Sequence, residues 1–381
     1  MKVFVGVGLG PIQTGIFMSG ACRGGFDRIV IAEVDDKLRN AINSNGGEVT
    51  INTAYADCIK TEVIRNVEVY NPNEPEGRAR LVAAAADACE LATALPSVKF
   101  FAYCAPWMVE GFRMQPERQR FIYTAENNNR AAEELEAALG EKFPNTYCLN
   151  TVVGKMSGVV PEADCAARGV VKLAPAADRA HLVEAFNKIY ISSCPGIEAR
   201  AVQNLYVKND LLPFEEAKLY GHNAIHFMLG TFGKAVGCEY MSDLAKHPEL
   251  MALGHEAFIK ESGAALCKKY AGLDELFTAE GFKAYAEDLL VRMPNPFLQD
   301  AVARITRDLQ RKLSWDDRVV GTMRLVLSQD EVPSIFAKGA ALAAKEEFGS
   351  DPAAVKAGLQ ALWPEWNDEA GKVWQLIEKN L

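Results

Sequence analysis

The sequence predicts an α/β protein in two domains: residues 1–195 built on a mostly parallel sheet, and residues 196–381 mainly α-helical. Three observations point there. The chain's 381 residues exceed what one compact core usually holds. Its first half alternates short apolar, β-branched runs with helical patterns, which implies a sheet covered on both faces. Beyond "SSCPGIEAR", with Pro195 and Gly196, nearly every segment spaces its apolar residues three or four apart among good helix formers.

In order, "KVFVGVG" reads as a strand ending in glycines, "PIQTGIFMSGAC" as a helix, and "RIVIAEVD" as a second buried strand closing in acid. "RARLVAAAADACELATAL" predicts an alanine-rich helix, "VKFFAYCAP" a strand, "NRAAEELEAALGEKF" a helix and "TYCLNTVVGKM" a further strand. The stretch "LLPFEEAKLYGHNAIHFMLGTFGKAVG" opens the helical half. There is no internal repeat, low-complexity tract or sustained heptad.

Composition narrows the function classes. Nearly half of the residues are apolar and about a quarter charged, as in a folded globular chain. Fifty acidic residues against forty-one basic ones, a formal charge of −9, speak against nucleic acid and an anionic membrane surface as partners. The nine cysteines are odd in number and never spaced C-x-x-C, so neither a disulfide framework nor a zinc knuckle is indicated. A reduced, cytoplasmic setting is expected. The apolar N-terminal run is broken by Gly8, Gly10, Pro11, Gln13 and Thr14, which suits a strand and turn better than a secretory leader.

That turn carries chemistry. Gly8-x-Gly10-x-x-Gln13-x-Gly15 follows the first strand directly, as in a Rossmann-like dinucleotide-binding domain. There the first glycine makes the turn, the second lets backbone approach the pyrophosphate, and the helix N-terminus offers amide donors. Gln13 departs from the usual third glycine, and Gly15 is expected to provide the close approach instead. Glu33, 23 residues past Gly10 at the end of the second strand, can accept from ribose hydroxyls and repel a 2′-phosphate. The expected cofactor is therefore NAD, bound by Gly8, Gly10, Gln13, Gly15 and Glu33. A tight turn with an ordinary surface glutamate is the bland alternative.

The second candidate is "AKLYGHNAIH". His222 and His226 have the spacing of a zinc-protease helix, but the residue after the first is Asn223, which cannot act as a base, and no third ligand follows; no metal is called for. At about 100° per residue, Lys218, His222, His226 and Asn223 share less than half of a helix circumference. Such a face suits alcohol oxidation. Lysine removes the hydroxyl proton, the amide holds the oxygen as it becomes a carbonyl, and imidazole fixes a neighbouring hydroxyl. A free lysine titrates near 10.4, so this one needs its pKa lowered by about three units. A merely solvated helix face is the alternative.

These residues resemble the polyol-specific long-chain dehydrogenases, the mannitol dehydrogenase family. "KLYGHNAIH", read K-x4-N-x2-H, is similar to that family's catalytic motif. "GVGLGPIQTG" with "IAEVD", "TAENNNR", "ESGAALCKKY" and "NPFLQDAVARITRDLQRKLSWDDR" resemble other parts of it, in order, along essentially the whole chain. The resemblance implies Lys218 as general base, Asn223 and Asn127 as the amides around the substrate oxygen, and His226 as a substrate-orienting group. It also implies that Arg304 and Lys312 reach the sugar chain or its phosphate, and that Glu215 serves proton exit. Gly154 and Lys155 stand where relatives often carry an aspartate-arginine pair, so the substrate pocket is altered.

The implied activity is NAD-dependent hydride transfer between a secondary alcohol and a ketone of an open-chain polyol, polyol phosphate or sugar acid. Length favours the short mannitol-1-phosphate-type branch. Hexuronate reduction, opine-type dehydrogenation and a non-catalytic NAD-binding regulator are the alternatives. The expected partner is a small polyol or ketose, with the chain a monomer or small homo-oligomer.

Overall fold

The first strand, β1 (Val3–Val7), is buried on both faces: Phe4 packs into one core, Val3, Val5 and Val7 into another. That explains its unbroken apolar run. The computed structural model describes all residues, Met1–Leu381, and divides them into two units, Met1–Leu211 and Leu212–Leu381. The further strands are β2 (Arg28–Ala32), β3 (Val49–Ala54), β4 (Ile59–Ile64), β5 (Val67–Tyr70), β6 (Ala88–Thr93), β7 (Arg120–Thr124), β8 (Thr146–Val152), β9 (Ser157–Pro161), β10 (Arg179–Glu184), β11 (Ile189–Ser192) and β12 (Leu205–Lys208).

Eight strands form one sheet in the order β12-β11-β8-β7-β6-β1-β2-β5. All its pairings are parallel except β8 with β11. The chain order reverses at β1, which has β2 on one side and β6 on the other. Ligands of open α/β sheets bind at the carboxyl ends of strands at such a switch point. The α/β expectation with a Rossmann-like first part therefore holds.

Two local expectations do not. The alanine-rich stretch is helical only over Pro75–Asp87; Ala88–Thr93 turns into the strand β6 beside β1. Conversely, "VKFFAYCAP" is helical, within Val98–Phe100 and Phe101–Met114. A strand buried on both faces and a buried helix both read as short apolar runs, and periodicity does not separate them. Packing decides: Phe101, Cys104, Trp107, Met108 and Phe112 bury one helical face, outweighing the internal Pro106.

A second, four-stranded sheet, β4-β3-β10-β9, was not anticipated. β3 and β4 are antiparallel, β3 and β10 parallel, β10 and β9 antiparallel. β10, the parallel partner of β3, is more than a hundred residues away, which local pattern cannot reveal.

The unit boundary also lies beyond the composition break at 195, because β12 completes the large sheet by pairing with β11. The second unit is helical, as expected, and no helix in the chain is long and apolar enough to cross a membrane.

Candidate functional site

In the first unit, the candidate residues gather at the carboxyl end of β1. Gly8 turns the chain with φ +82°, and its N–H donates to Ala32 O at 2.9 Å, tying the loop to β2. That φ favours glycine. A Cβ built on Gly10 would meet nothing within 4 Å, so backbone is open to a ligand there. Glu33 Oε2 accepts from Leu9 N at 2.8 Å, and Oε1 from Val34 N and Asp35 N at 2.7 and 2.8 Å. Its carboxylate is thus fixed against the glycine loop, with lone pairs left over for hydroxyl donors.

A pocket of about 730 Å³ is lined by Gly8, Gly10 and Glu33, with Leu38, Pro72, Leu95, Pro96, Phe100 and Tyr103 among its apolar wall. A backbone cradle, an acid and an apolar slot fit the pyrophosphate, ribose and adenine of a dinucleotide. The pocket also holds a cation that the sequence did not suggest, Arg179 of β10.

Gln13 and Gly15 do not line this pocket. Gln13 is fully buried, and a Cβ on Gly6 would come within 1.9 Å of its Nε2. The glycine that this contact needs has moved from helix to strand: Gly6 of β1 makes room for the side chain at 13. Both polar atoms of that carboxamide are buried, and no group of the chain hydrogen-bonds them. Gly15 makes its close approach to the small sheet instead, since a Cβ there would lie 2.6 Å from Val183 Cγ1.

β10 braces the same turn through alternate residues. His181 Nδ1 is 3.0 Å from Thr14 Oγ1, and burial, reinforced by Arg179, pushes the imidazole pKa down to about 3, so it stays neutral. Asn127 lies just past the C-terminal end of β7 and is exposed. Its neighbour Glu126 is buried, accepting from Thr93 Oγ1 and Leu95 N. Lys155 donates to Phe186 O at 2.7 Å.

In the second unit, one continuous helix carries Lys218, Asn223 and His226. It runs as α-helix over Leu212–Glu216 and Ala224–Ala235, with a widened, π-type stretch at Ala217–Asn223 between them. Such stretches stack residues five apart, so Lys218 and Asn223 come closer to one line than a regular helix would bring them. The Tyr285 hydroxyl donates toward Ala217 O at 3.5 Å and that of Thr322 toward Tyr220 O at 3.4 Å, helping to satisfy carbonyls of the loosened turn.

Lys218 keeps part of its surface accessible, yet its amine is packed closely enough that lost hydration lowers its pKa to about 8. Arg318 pushes the same way and Glu215 opposes. His222 is buried, and burial followed by the neighbouring His226 holds it well below the usual imidazole range. His226 Nε2 lies 3.0 Å from Asp300 Oδ2, although the two are not aligned as a hydrogen bond. Arg304 Nε donates to Asp300 Oδ1 at 2.9 Å. Burial of Asp300 opposes its ionisation, but His226 and Arg304 outweigh it and keep the carboxyl below its ordinary value.

Asp300 and Arg318 were not singled out from sequence. The spacing of Asp300 and Arg304, one helical turn, was the available sign. Lys312 is buried, with its ammonium donating to Ile305 O and Arg307 O. It closes the end of the short helix Val302–Ile305 rather than projecting from the surface. No group of three His, Cys, Asp or Glu side chains stands at metal-binding separation.

A family model described as the mannitol dehydrogenase C-terminal domain matches residues 210–379. A mannitol-1-phosphate 5-dehydrogenase of Bacillus licheniformis is 30% identical over 363 residues, covering 92% of this chain and 89% of that one. The enzyme of the same name from Bacillus subtilis is 33% identical over 154 residues, 40% of this chain and 38% of the relative, so that alignment spans well under half of its length. Two solved structures share the fold. A substrate-free D-sorbitol dehydrogenase gives a TM-score of 0.74 at 14% identity, covering 100% of this chain and 92% of the other. A Pseudomonas fluorescens mannitol 2-dehydrogenase in ternary complex with NAD and D-mannitol gives 0.71 at 12%, covering 100% and 91%.

Proposed function

This chain belongs to the mannitol dehydrogenase family, and on that premise we propose that it is an NAD-dependent oxidoreductase. It interconverts a secondary alcohol and a ketone on an open-chain polyol, polyol phosphate or sugar acid. The observation that carries this reading is the Lys218 amine, with its pKa lowered to about 8 on a helix that also bears Asn223 and His226.

Bound NAD supplies the hydride acceptor. The chain's residues do the rest. Gly8 and Gly10 present backbone to the pyrophosphate, and Glu33 holds the adenosine ribose. Lys218 Nζ takes the hydroxyl proton as the alcohol is oxidised and returns it when the ketone is reduced. Asn223 donates an amide N–H to the oxygen whose charge changes, the role that the family resemblance also gives to Asn127. His226, with Asp300 behind it, orients a neighbouring hydroxyl.

Both phosphorylated and free substrates stay within the reading, because the Lys312 ammonium is committed to the backbone carbonyls of Ile305 and Arg307. The test is a panel pairing each open-chain ketose with its phosphate ester, plus keto acids, followed by NADH consumption. Turnover on one ketose, ketose phosphate or open-chain keto sugar acid, well above all 2-keto acids that lack a polyol chain, is expected. NADH binding with no turnover on any of them would leave a regulator, and preference for a keto acid with an amine would leave an opine-type enzyme.

Glu33→Ala is expected to relax the discrimination against NADP by about tenfold, read as the ratio of kcat/KM for the two cofactors. NADH affinity should fall as well, because Leu9, Val34 and Asp35 lose the acceptor of their N–H groups. An unchanged cofactor ratio would remove Glu33 from the ribose site.

A further inference from the structure

We propose that the ion pair between Asp35 and Arg179 sets the choice of dinucleotide, by occupying the one guanidinium at the pocket that could hold a 2′-phosphate. This rests on the dinucleotide reading above. Among the residues lining the pocket, Arg179 is the only lysine or arginine. Its Nη2 donates to Asp35 Oδ2 at 2.5 Å and its Nε to Asp178 Oδ1 at 2.6 Å.

Asp35 divides its two oxygens between two tasks. Oδ1 accepts from Lys37 N at 3.1 Å and Leu38 N at 3.2 Å, capping the helix Asp36–Asn43. Oδ2 neutralises Arg179. Because Asp35 follows Glu33 by two residues, the guanidinium is tied down beside the acid assigned to the ribose, where the extra phosphate of NADP would sit. Three carboxylates, those of Glu33, Asp35 and Asp178, against one cation leave that corner net negative. A 2′-phosphate there meets repulsion and no available donor.

Arg179 is well placed to serve if released. It comes from β10, whose His181 and Val183, at alternate positions, hold the phosphate-loop helix through Thr14 and Gly15. The strand that carries the guanidinium is thereby fixed relative to the glycine loop. The Asp178 carboxylate is 53% exposed, so its pairing competes weakly with a bound phosphate.

Asp35→Asn separates the two tasks. The remaining oxygen still accepts from Lys37 N and Leu38 N, while the new amide is a donor and cannot accept from the guanidinium. The experiment is calorimetric titration of the 381-residue chain with NADH and with NADPH, for wild type, Asp35→Asn, Arg179→Ala and the double variant. Asp35→Asn is expected to tighten NADPH by about tenfold or more while NADH changes by less than about threefold. The gain should vanish in the double variant, and Arg179→Ala alone should leave NADPH weak.

No gain in Asp35→Asn overturns the proposal. So does a gain that persists in the double variant, since that would report only a removed negative charge. NADH binding by every variant shows the pocket intact; a wild type that binds neither dinucleotide removes the reading of the pocket itself, and this inference with it.

Discussion

Lys218→Ala is expected to lower turnover by about 10²–10⁴-fold, the usual worth of a positioned acid or base, while NADH affinity stays close to wild type. The affinity should hold because the pocket lined by Gly8, Gly10 and Glu33 lies in the first unit and Lys218 in the second. The proton bookkeeping gives a second readout. With the amine titrating at about 8, roughly a tenth of it is neutral at pH 7 and most of it above pH 9. Only the neutral form can accept the hydroxyl proton, so alcohol oxidation should rise with pH through about 8. Only the charged form can donate, so ketone reduction should fall over the same range. Both trends should flatten in Lys218→Ala. Near-normal turnover in the variant, or a pH profile indifferent to it, would defeat the assignment.

Gly15→Ala is expected to destabilise the first unit and weaken NADH binding, although alanine usually strengthens a helix. The favourable side is about 0.5–1 kcal/mol from helix propensity. The opposing side is a Cβ 2.6 Å from Val183 Cγ1 and 3.0 Å from Cγ2, on a stiff, buried, β-branched side chain that cannot step aside. Overpacking of this kind costs about 1–3 kcal/mol, so the net effect should be a loss. For a unit of this size that lowers Tm by several degrees, on the order of 2–4 °C per kcal/mol. Because Gly15 belongs to the helix that starts at the phosphate loop, the shift should reach the loop and reduce NADH affinity. Adding Val183→Ala removes both clashing methyls and should restore much of the binding. A Gly15→Ala protein as stable as wild type, with unchanged NADH affinity, would mean that the small sheet does not brace the loop.

Segments whose structure is legible in the sequence differ physically from those whose structure is not. The turn after β1 was legible because its demands are local: a positive φ at Gly8, an open backbone at Gly10, and an acid ending the next strand. The helix of Lys218, Asn223 and His226 was legible for the same reason. The alanine-rich stretch was not, since Ala88–Thr93 becomes a strand only by lying between β1 and β7. Gln13 looked like a defect in the glycine pattern, and its compensation by Gly6 appears only once strand and helix are packed together.

What the sequence determined by itself is the order of strand, loop and helix at the N-terminus, the helical second half, and the helix that carries Lys218, Asn223 and His226. Periodicity and backbone preference act over a few residues, and these features are that short. Tertiary structure alone decided the small sheet that carries Arg179, the meeting of His181 with Thr14, the support of His226 by Asp300, and the lowered pKa of Lys218. Each depends on groups distant in the chain or on the water excluded around them, and both are set only when the core closes.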